Sequence, residues 1–156
     1  MQRYTYDANG NVTQRTRFDM AQAITLTYDY ENRLTTISGG ASATYIYDGD
    51  GKLAKKNGDA LIGNYYEYLS TGQVKKYYYA GGVRVAVRGT DNNVYYLLAD
   101  HLGSANVTAN TSGDRVTEMR YYPFGLARYD AGAGKTVYRY TGQRIESTTD
   151  IYYYGT

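Results

Sequence analysis

The chain has 156 residues, a length at which one ordinary domain buries about two-thirds of its unfolded surface. Its formal net charge of +2 argues against nucleic acid or an anionic membrane as a partner. The sequence contains no cysteine, which excludes disulfide bonds and cysteine-ligated zinc, and no apolar run of about 18 residues, which argues against a membrane-spanning helix.

Tyrosine and glycine dominate the composition. Tyrosine supplies 22 residues and glycine 18, against one proline and two phenylalanines. Tyrosine favours strands, because its ring fits a pleated surface while its hydroxyl can reach water. Glycine at this abundance, without a triplet rhythm, indicates many tight turns. The composition therefore predicts short strands joined by hairpins.

One turn motif occurs four times in the first half of the chain. It reads Tyr, usually Asp, two variable residues, Gly or Asn, a polar residue, then Val or Leu, and it recurs about every twenty residues. Asp at a strand end can bond its own backbone two residues on, while Gly or Asn accepts positive φ, which closes a hairpin. The predicted turn residues are Tyr6, Asp7 and Gly10; Tyr28, Asp29 and Asn32; Tyr47, Asp48 and Gly51; and Tyr68 and Gly72.

The segments beside these turns alternate apolar and polar residues, as strands do. No comparable stretch has the 3.6-residue period of an amphipathic helix. We therefore predict an all-β fold, a curved antiparallel sheet of sequential hairpins. The alternating residues are Ile24, Leu26, Tyr28 and Tyr30 in one segment, and Val83, Val85 and Val87 in another.

The character of the chain changes near Gly89. We divide it into YD-type hairpins at 1–88 and a specialised continuation of the same array at 89–156, together one structural unit. The second part carries four short motifs in order: Asp100-His101-Leu102-Gly103-Ser104, Tyr122-Pro123-Phe124-Gly125, Thr141-Gly142-Gln143 and Tyr152-Tyr153-Tyr154-Gly155.

These residues resemble the RHS/YD-repeat family. The Tyr-Asp units cover residues 4 to about 88, and the four later motifs are similar to the family's repeat-associated core, in family order. The resemblance implies a long strip of hairpins that spirals into a hollow shell. In bacteria such shells usually enclose a polymorphic toxin, and insecticidal toxin complexes and animal teneurins are similar. We expect a structural wall segment of this kind, around a cargo or at a cell surface.

The resemblance also implies partners and a location. The expected partners are the remainder of the parent shell, another copy joined through open sheet edges, and an enclosed toxin cargo. The expected location is extracellular, as a secreted protein or at a bacterial cell surface. In the family, an Asp-Pro segment where some members cleave themselves follows the triple tyrosine. The sequence ends at Thr156 without that segment, so self-cleavage is not inferred.

The later motifs also permit an enzymatic reading. His101 is the only histidine, and Asp100 and Ser104 lie close to it in sequence. A hydrolytic triad needs a separate orienting acid and an oxyanion hole, and the chain has no Gly-Xaa-Ser-Xaa-Gly elbow. We therefore predict that the chain is not an enzyme and that these residues form a turn.

Metal and carbohydrate binding are two further alternatives. The stretch from Asp48 to Gly51 has a faint likeness to a calcium loop, but further oxygen ligands and the closing Glu are missing, so we predict no metal and no cofactor. Carbohydrate binding through exposed tyrosines is the alternative function. We also expect the apolar face of the sheet, with no helix to cover it, to require curling, self-association or contact with the parent.

Overall fold

The computed structural model describes residues 2–16, 22–132 and 134–155. The chain divides into two compact units, Met1–Leu61 and Ile62–Thr156. Fourteen strands, β1 to β14, are hydrogen-bonded in chain order, each antiparallel to its neighbour where a register is defined. The predicted all-β sheet of sequential hairpins is confirmed. The predicted division at residues 88 and 89 stays a prediction.

The first unit is a run of hairpins over an apolar core. In the third strand Ile24 and Leu26 are buried while Thr25 and Thr27 are exposed, because successive side chains of a strand point to opposite faces. Its strands are β1 (Arg3–Tyr6), β2 (Val12–Thr16), β3 (Ile24–Tyr28), β4 (Leu34–Gly39), β5 (Ala43–Tyr47), β6 (Leu53–Lys56) and β7 (Asp59–Ile62), whose last residue belongs to the second unit.

The second unit continues with hairpins and then leaves the array. Its array strands are β8 (Tyr66–Tyr68), β9 (Val74–Ala80), β10 (Val83–Arg88), β11 (Val94–Ala99), β12 (Ala105–Ala109), β13 (Arg115–Tyr121) and β14 (Ala127–Ala131). The last strands, β15 (Arg144–Glu146) and β16 (Ile151–Tyr153), pair with each other, and Arg144 also forms a single bridge with Tyr138; among the described residues they pair with no strand of the array. Two short 3-10 turns are Pro123–Gly125 and Tyr140–Gly142.

The terminal segment of the second unit packs on its own array. Tyr138 joins Tyr77 of β9 and Val87 of β10 in one buried cluster. The terminal segment of the same chain thus covers this part of the apolar face. The periodicity of the sequence did not predict that this segment leaves the array.

Two details of the predicted alternation are wrong. Tyr30 does not share a face with Ile24, because β3 ends at Tyr28 and Tyr30 lies fully exposed in the turn. Val83 does not share a face with Val87, because the register between β9 and β10 skips Val85 and pairs Val83 with Ala80 but Val87 with Tyr77. Beyond that skipped residue Ala86 and Val87 are both buried.

A β-bulge recurs at the same position after most turns. Tyr6 faces Val12 but Thr5 faces Gln14, which leaves Thr13 as an extra residue on β2. Such bulges bend the strand and increase its twist. The equivalent extra residues in later hairpins are Thr35, Ala54, Asn106, Val116 and Arg128.

Candidate functional site

The repeated turn is the first candidate site, and nine turns of the described chain share its backbone pattern. In each, the first residue accepts a hydrogen bond from the fourth N–H and donates its own N–H to the fifth carbonyl. The fourth residue always has positive φ, a conformation that glycine and asparagine adopt most readily. The first and fifth residues are 7 and 11, 29 and 33, 48 and 52, 69 and 73, 89 and 93, 100 and 104, 110 and 114, 122 and 126, and 139 and 143.

The aspartate of the motif closes its own turn. Asp7 Oδ1 accepts hydrogen bonds from the N–H groups of Asn9, at 2.9 Å, and Asn11, at 2.8 Å. The bond from the Asn11 side chain, together with these backbone bonds, holds the pKa of Asp7 below its ordinary value of 3.8. The same pair of backbone contacts is made by Asp29, Asp48, Asp100 and the side-chain oxygen of Asn110.

The tyrosine of the motif links its hairpin to the preceding one. The Tyr28 hydroxyl donates to the carbonyl of Val12 at 3.0 Å, and the Tyr47 hydroxyl donates to the carbonyl of Leu34 at 2.8 Å. Val12 and Leu34 are the residues that end the previous copy of the motif. Tyr121 repeats the contact with the carbonyl of Ala105, at 2.9 Å. Burial raises the pKa of both the Tyr28 and the Tyr121 hydroxyls, which keeps them protonated donors.

The other two predicted motif tyrosines lie at strand ends with exposed rings. Tyr6 ends β1, and its ring is exposed beside that of Tyr4, with the ring centroids 6.5 Å apart. Tyr68 ends β8, and its turn closes through the N–H of Gly72 and the carbonyl of Leu69. The tyrosine link is therefore seen in some copies of the motif, whereas the turn is seen in all four.

The segment from Asp100 to Ser104 forms one of the nine turns. His101 and Leu102 are exposed at its tip, while Ser104 is fully buried. The Ser104 hydroxyl accepts a hydrogen bond from the N–H of Thr141 at 3.0 Å. Asp100 Oδ1 is occupied by the backbone of the same turn. The Asp100 side chain thus closes this turn, and the Ser104 side chain ties it to Thr141.

The turns at residues 100–104 and 139–143 touch each other. A Cβ on Gly142 would lie 3.2 Å from the carbonyl oxygen of Gly103, so this approach favours glycine. The backbone N–H of Gln143 donates to the carbonyl of Tyr140 at 3.0 Å. Two motifs that lie far apart in sequence therefore meet, and the contact fixes the terminal segment to the turn after β11.

The turn around Pro123 is clamped by two tyrosines of the terminal segment. A Cβ on Gly125 would lie 2.8 Å from Cδ1 of Tyr140 and 3.0 Å from Cε2 of Tyr152. The Tyr152 hydroxyl donates to the carbonyl of Gly125 at 3.0 Å. Phe124 has a φ of 70° and is 94% exposed. The clamp holds Gly125 inside and leaves the Phe124 ring in solvent.

A buried charge cluster lies beneath the terminal segment. Glu67 of β8 forms an ion pair with Arg144 of β15, and the two side chains are 2% and 8% exposed. The guanidinium of Arg84 stacks on the ring of Tyr138, 3.4 Å from its centroid. Tyr77 meets Tyr138 edge to face, with centroids 5.0 Å apart. The cluster joins three strands of the array, β8, β9 and β10, to the segment that follows the array.

The electrostatics of this cluster depend on one carboxylate. Burial disfavours the Arg144 cation, but the Glu67 carboxylate beside it raises the pKa of Arg144. Burial and the same carboxylate raise the pKa of the Tyr77 hydroxyl well above 10.0. Glu67 Oε2 has no hydrogen-bond partner among the described residues. Arg144 is thus the partner on which the buried carboxylate relies.

Sequence reasoning did not identify this cluster. One signal was available: Glu67 stands inside the run Tyr65-Tyr66-Glu67-Tyr68, where a strand of alternating faces buries every second residue. The sequence does not indicate that Glu67 and Arg144 form a pair, because they lie 77 positions apart.

The described residues contain no cluster of side chains suited to a metal ion and no helix suited to a membrane span. In the described part of the chain, no group of three or more His, Cys, Asp or Glu side chains is placed to hold a metal ion. Within residues 2–16, 22–132 and 134–155, no helix has the length and apolar character needed to cross a membrane.

Two curated relatives illustrate the similarity in sequence. The tRNA3(Ser)-specific nuclease WapA of Bacillus spizizenii is 26% identical over 167 residues, which cover 96% of this chain and 7% of the nuclease. Human teneurin-1 is 29% identical over 134 residues, which cover 76% of this chain and 5% of teneurin-1. The chain therefore spans only a small fraction of the length of these relatives.

Solved structures are similar in fold. The crystal structure of TcdB2–TccC3 superposes with a TM-score of 0.66 at 18% identity, covering 99% of this chain and 12% of that one. A Photorhabdus luminescens Tc holotoxin pore with a mutated TccC3 gives a TM-score of 0.65 at 17% identity, covering 99% and 11%. At these identities the likeness shows the fold.

A family description covers more than half of the sequence. The family "Teneurin YD-shell" matches residues 1–88 of the 156, the part that holds the four predicted copies of the Tyr-Asp turn. Within these residues the geometry gives each part of the motif a structural role, since the aspartate closes a turn and the tyrosine binds the preceding hairpin. The chain belongs to the teneurin YD-shell family.

Proposed function

We propose that this chain is a non-catalytic wall segment of a shell that encloses a toxin or another cargo. The observation that carries the proposal is the use of the motif's polar atoms. The Asp7 carboxylate and the Tyr28 and Tyr47 hydroxyls are engaged with backbone groups of their own or the preceding hairpin. Groups committed in this way stabilise a wall and are not free to act on a substrate.

The same logic supports a non-enzymatic role for the later motifs. Ser104 is buried and its hydroxyl already binds the N–H of Thr141, so it is not placed as a nucleophile. One relative is named as a tRNA nuclease, but this chain matches 7% of it. A nuclease domain elsewhere in the parent protein would fit the role of cargo.

The end strands support the proposed partners. All residues of β1 are exposed, and so are four of the five residues of β14. A strand at the end of a sheet presents unpaired N–H and C=O groups that another strand can bind. We propose that the rest of the parent shell binds there, or a second copy of this chain. Residues 89–156 belong to the wall in this proposal, through strands β11 to β14 and the terminal segment that packs on them, and the parent is secreted or displayed at a cell surface.

Protease protection of the cargo tests the wall. The full-length parent is digested at a protease concentration that degrades the separately expressed cargo. We expect the cargo to persist in the parent and to become sensitive when Tyr28 and Tyr47 are both replaced by Ala. Tyr30→Ala, at an exposed turn position, is the matched control. Digestion of cargo in the native parent as fast as free cargo would contradict the proposal.

The non-enzymatic part has its own test. His101→Gln is expected to leave every measured activity of the parent unchanged, because the ring lies exposed at a turn. Loss of activity in a variant that keeps the native circular dichroism spectrum would show that the ring takes part in chemistry.

One observation favours carbohydrate as a second candidate ligand. The exposed rings of Tyr4 and Tyr6 lie 6.5 Å apart at a tilt of 33°, and open rings can stack on the apolar faces of sugars. Glycan-array binding of the chain is compared with that of the Tyr4→Ala/Tyr6→Ala variant. Binding that the double variant abolishes would support the candidate, and absence of binding by the native chain would remove it.

A further inference from the structure

We propose that residues 134–155 form a separable docking segment whose binding to the array is selected by the buried Glu67–Arg144 pair and by the stack of Arg84 on Tyr138. This goes beyond a wall role, since it assigns the second unit a receptor surface with a defined occupant. The occupant is the chain's own terminal segment.

The connectivity is the first argument. Strands β15 and β16 pair with each other and make no ladder with the array among the described residues. A backbone bond from Ala105 N–H to the carbonyl of Arg139, at 3.1 Å, and a side-chain bond from Arg84 to the carbonyl of Gly142, at 3.2 Å, are individual contacts. Because no continuous ladder ties the segment down, side chains decide where it binds.

The burial pattern is the second argument. The array strand β3 alternates between buried and exposed residues, but all three residues of β15, Arg144, Ile145 and Glu146, are buried. Tyr138 is also buried. A strand whose successive residues are all buried is covered on both faces. Beside it, Tyr138 packs against Tyr77 and Val87 of the array. The segment is therefore bound through an interior-like surface.

The receptor surface is the part of the array formed by Glu67, Tyr77, Tyr79 and Arg84. It binds one cation and one aromatic ring of the terminal segment. Tyr77 and Tyr79 of β9 each lie with their ring centroids 5.3 Å from the Arg84 guanidinium, and Tyr138 closes this box as its third wall. Glu67 beside it needs a positive partner, which Arg144 supplies. Tyr138 and Arg144 face each other across a single β-bridge, so the segment presents the ring and the cation together.

Charge makes the choice of occupant selective. Without the segment, Glu67 would lose the partner of its Oε1 atom. A carboxylate removed from water without a partner is strongly unfavourable, so an apolar segment of the same shape would bind poorly. The site therefore selects a segment that places an Arg side chain against Glu67, as Arg144 does.

The test cuts the connection in the full chain. A protease recognition sequence is inserted before Gly134, a fluorophore is attached to a cysteine added after Thr156, and the purified chain is cleaved. The native sequence has no cysteine, so the label is unique. Size-exclusion chromatography shows whether the pieces stay together, and fluorescence anisotropy on dilution gives the dissociation constant.

We expect the cleaved native chain to remain associated. Arg144→Met should raise the dissociation constant by about 100-fold, because it leaves the carboxylate buried and unpaired. Glu67→Met combined with Arg144→Met should return it to within about tenfold of the native value, since an apolar pair of similar volume replaces the ion pair. Tyr138→Leu should raise it by about tenfold through loss of the ring over Arg84. The control is Arg128→Met, at an exposed position of β14.

Three outcomes would overturn the inference. Separation of the native pieces on cleavage would show that the segment does not dock by itself. Equal dissociation constants for the native, Arg144→Met and Arg128→Met chains would show that the ion pair does not select the occupant. Loss of the native circular dichroism spectrum in uncut Arg144→Met would show that the segment cannot be separated from the fold of the array.

Discussion

The two compact units bury different chemistry. The core of Met1–Leu61 is apolar and includes Ile24, Leu26 and Ile37. Every polar or charged side chain that is buried in the described residues lies in Ile62–Thr156, including Glu67, Ser104 and Arg144. The difference teaches that the first unit needs only turn chemistry and an apolar face, whereas the second unit, which holds the segment that leaves the array, also buries polar groups both in its array strands and in that segment.

The largest expected effect contrasts two ion pairs. Arg144→Met in the second unit should lower the free energy of unfolding by about 3–5 kcal/mol, because it strands a buried carboxylate. Arg33→Met in the first unit should cost much less, since the Arg33–Asp29 pair is more exposed and Asp29 keeps its backbone bonds. Chemical denaturation measures both. Equal losses of unfolding free energy in the two variants would contradict the proposed difference between the units.

A second contrast compares two glycines with nearly the same φ. A Cβ on Gly10, where φ is 87°, would have nothing within 4 Å, whereas a Cβ on Gly125, where φ is 88°, would press on Tyr140 and Tyr152. Gly10→Ala should cost about 1–2 kcal/mol, for the left-handed conformation alone. Gly125→Ala should cost about 1–3 kcal/mol more, from overpacking. Thermal and urea unfolding of both variants check this, and a smaller loss at Gly125 would contradict the clamp.

A third test concerns the tyrosine link, which both units share. Tyr47→Phe and Tyr121→Phe each remove a donor to a carbonyl of the preceding hairpin. Each should lower the free energy of unfolding by about 1 kcal/mol. Tyr30→Phe, whose ring is fully exposed, should leave it unchanged. If Tyr30→Phe costs as much as the other two, the loss is unrelated to the link.

The smallest effect depends on pH. The pKa of Asp7 is lowered in the folded chain, so its contribution to stability is present above pH 3.8 and is lost as the pH falls through the lowered pKa. Asp7→Asn should keep the turn, as Asn110 does in its own turn, and lose this dependence. Unfolding free energies of both chains between pH values of about 2 and 7 provide the measurement. If the difference in unfolding free energy between the native chain and Asp7→Asn stays constant across that range, titration of Asp7 is not its cause.

The hairpins could be predicted because their signals are local. Asp48 and Gly51 stand three positions apart, and both the carboxylate contacts and the positive φ of Gly51 belong to that one turn. The turn at Asp100 obeys the same chemistry. The pattern alone did not show that the residues from Gly89 to Asn93 and from Arg139 to Gln143 also form this turn, because Asp is absent from their first position.

The contacts between distant segments could not be predicted. The Tyr28 hydroxyl binds a carbonyl 16 positions earlier, and a carbonyl group has no signature in the sequence. The Glu67–Arg144 pair joins residues 77 positions apart. The skipped Val85 and the exposed Tyr30 show the same limit at short range, since a bulge or a turn ends the alternation on which the prediction depends.

The direction of the tyrosine link gives the chain an order of assembly. Tyr28 and Tyr47 each bind a carbonyl that belongs to the hairpin before their own, so the acceptor is synthesised first. During translation each new hairpin would meet a neighbour that is already folded, as in proteins built from repeats that contact only the next one. Only one unfinished edge would then be exposed at the growing end, which limits pairing between nascent chains on the same messenger RNA. The motif that stabilises the finished wall would also protect it while it is being made.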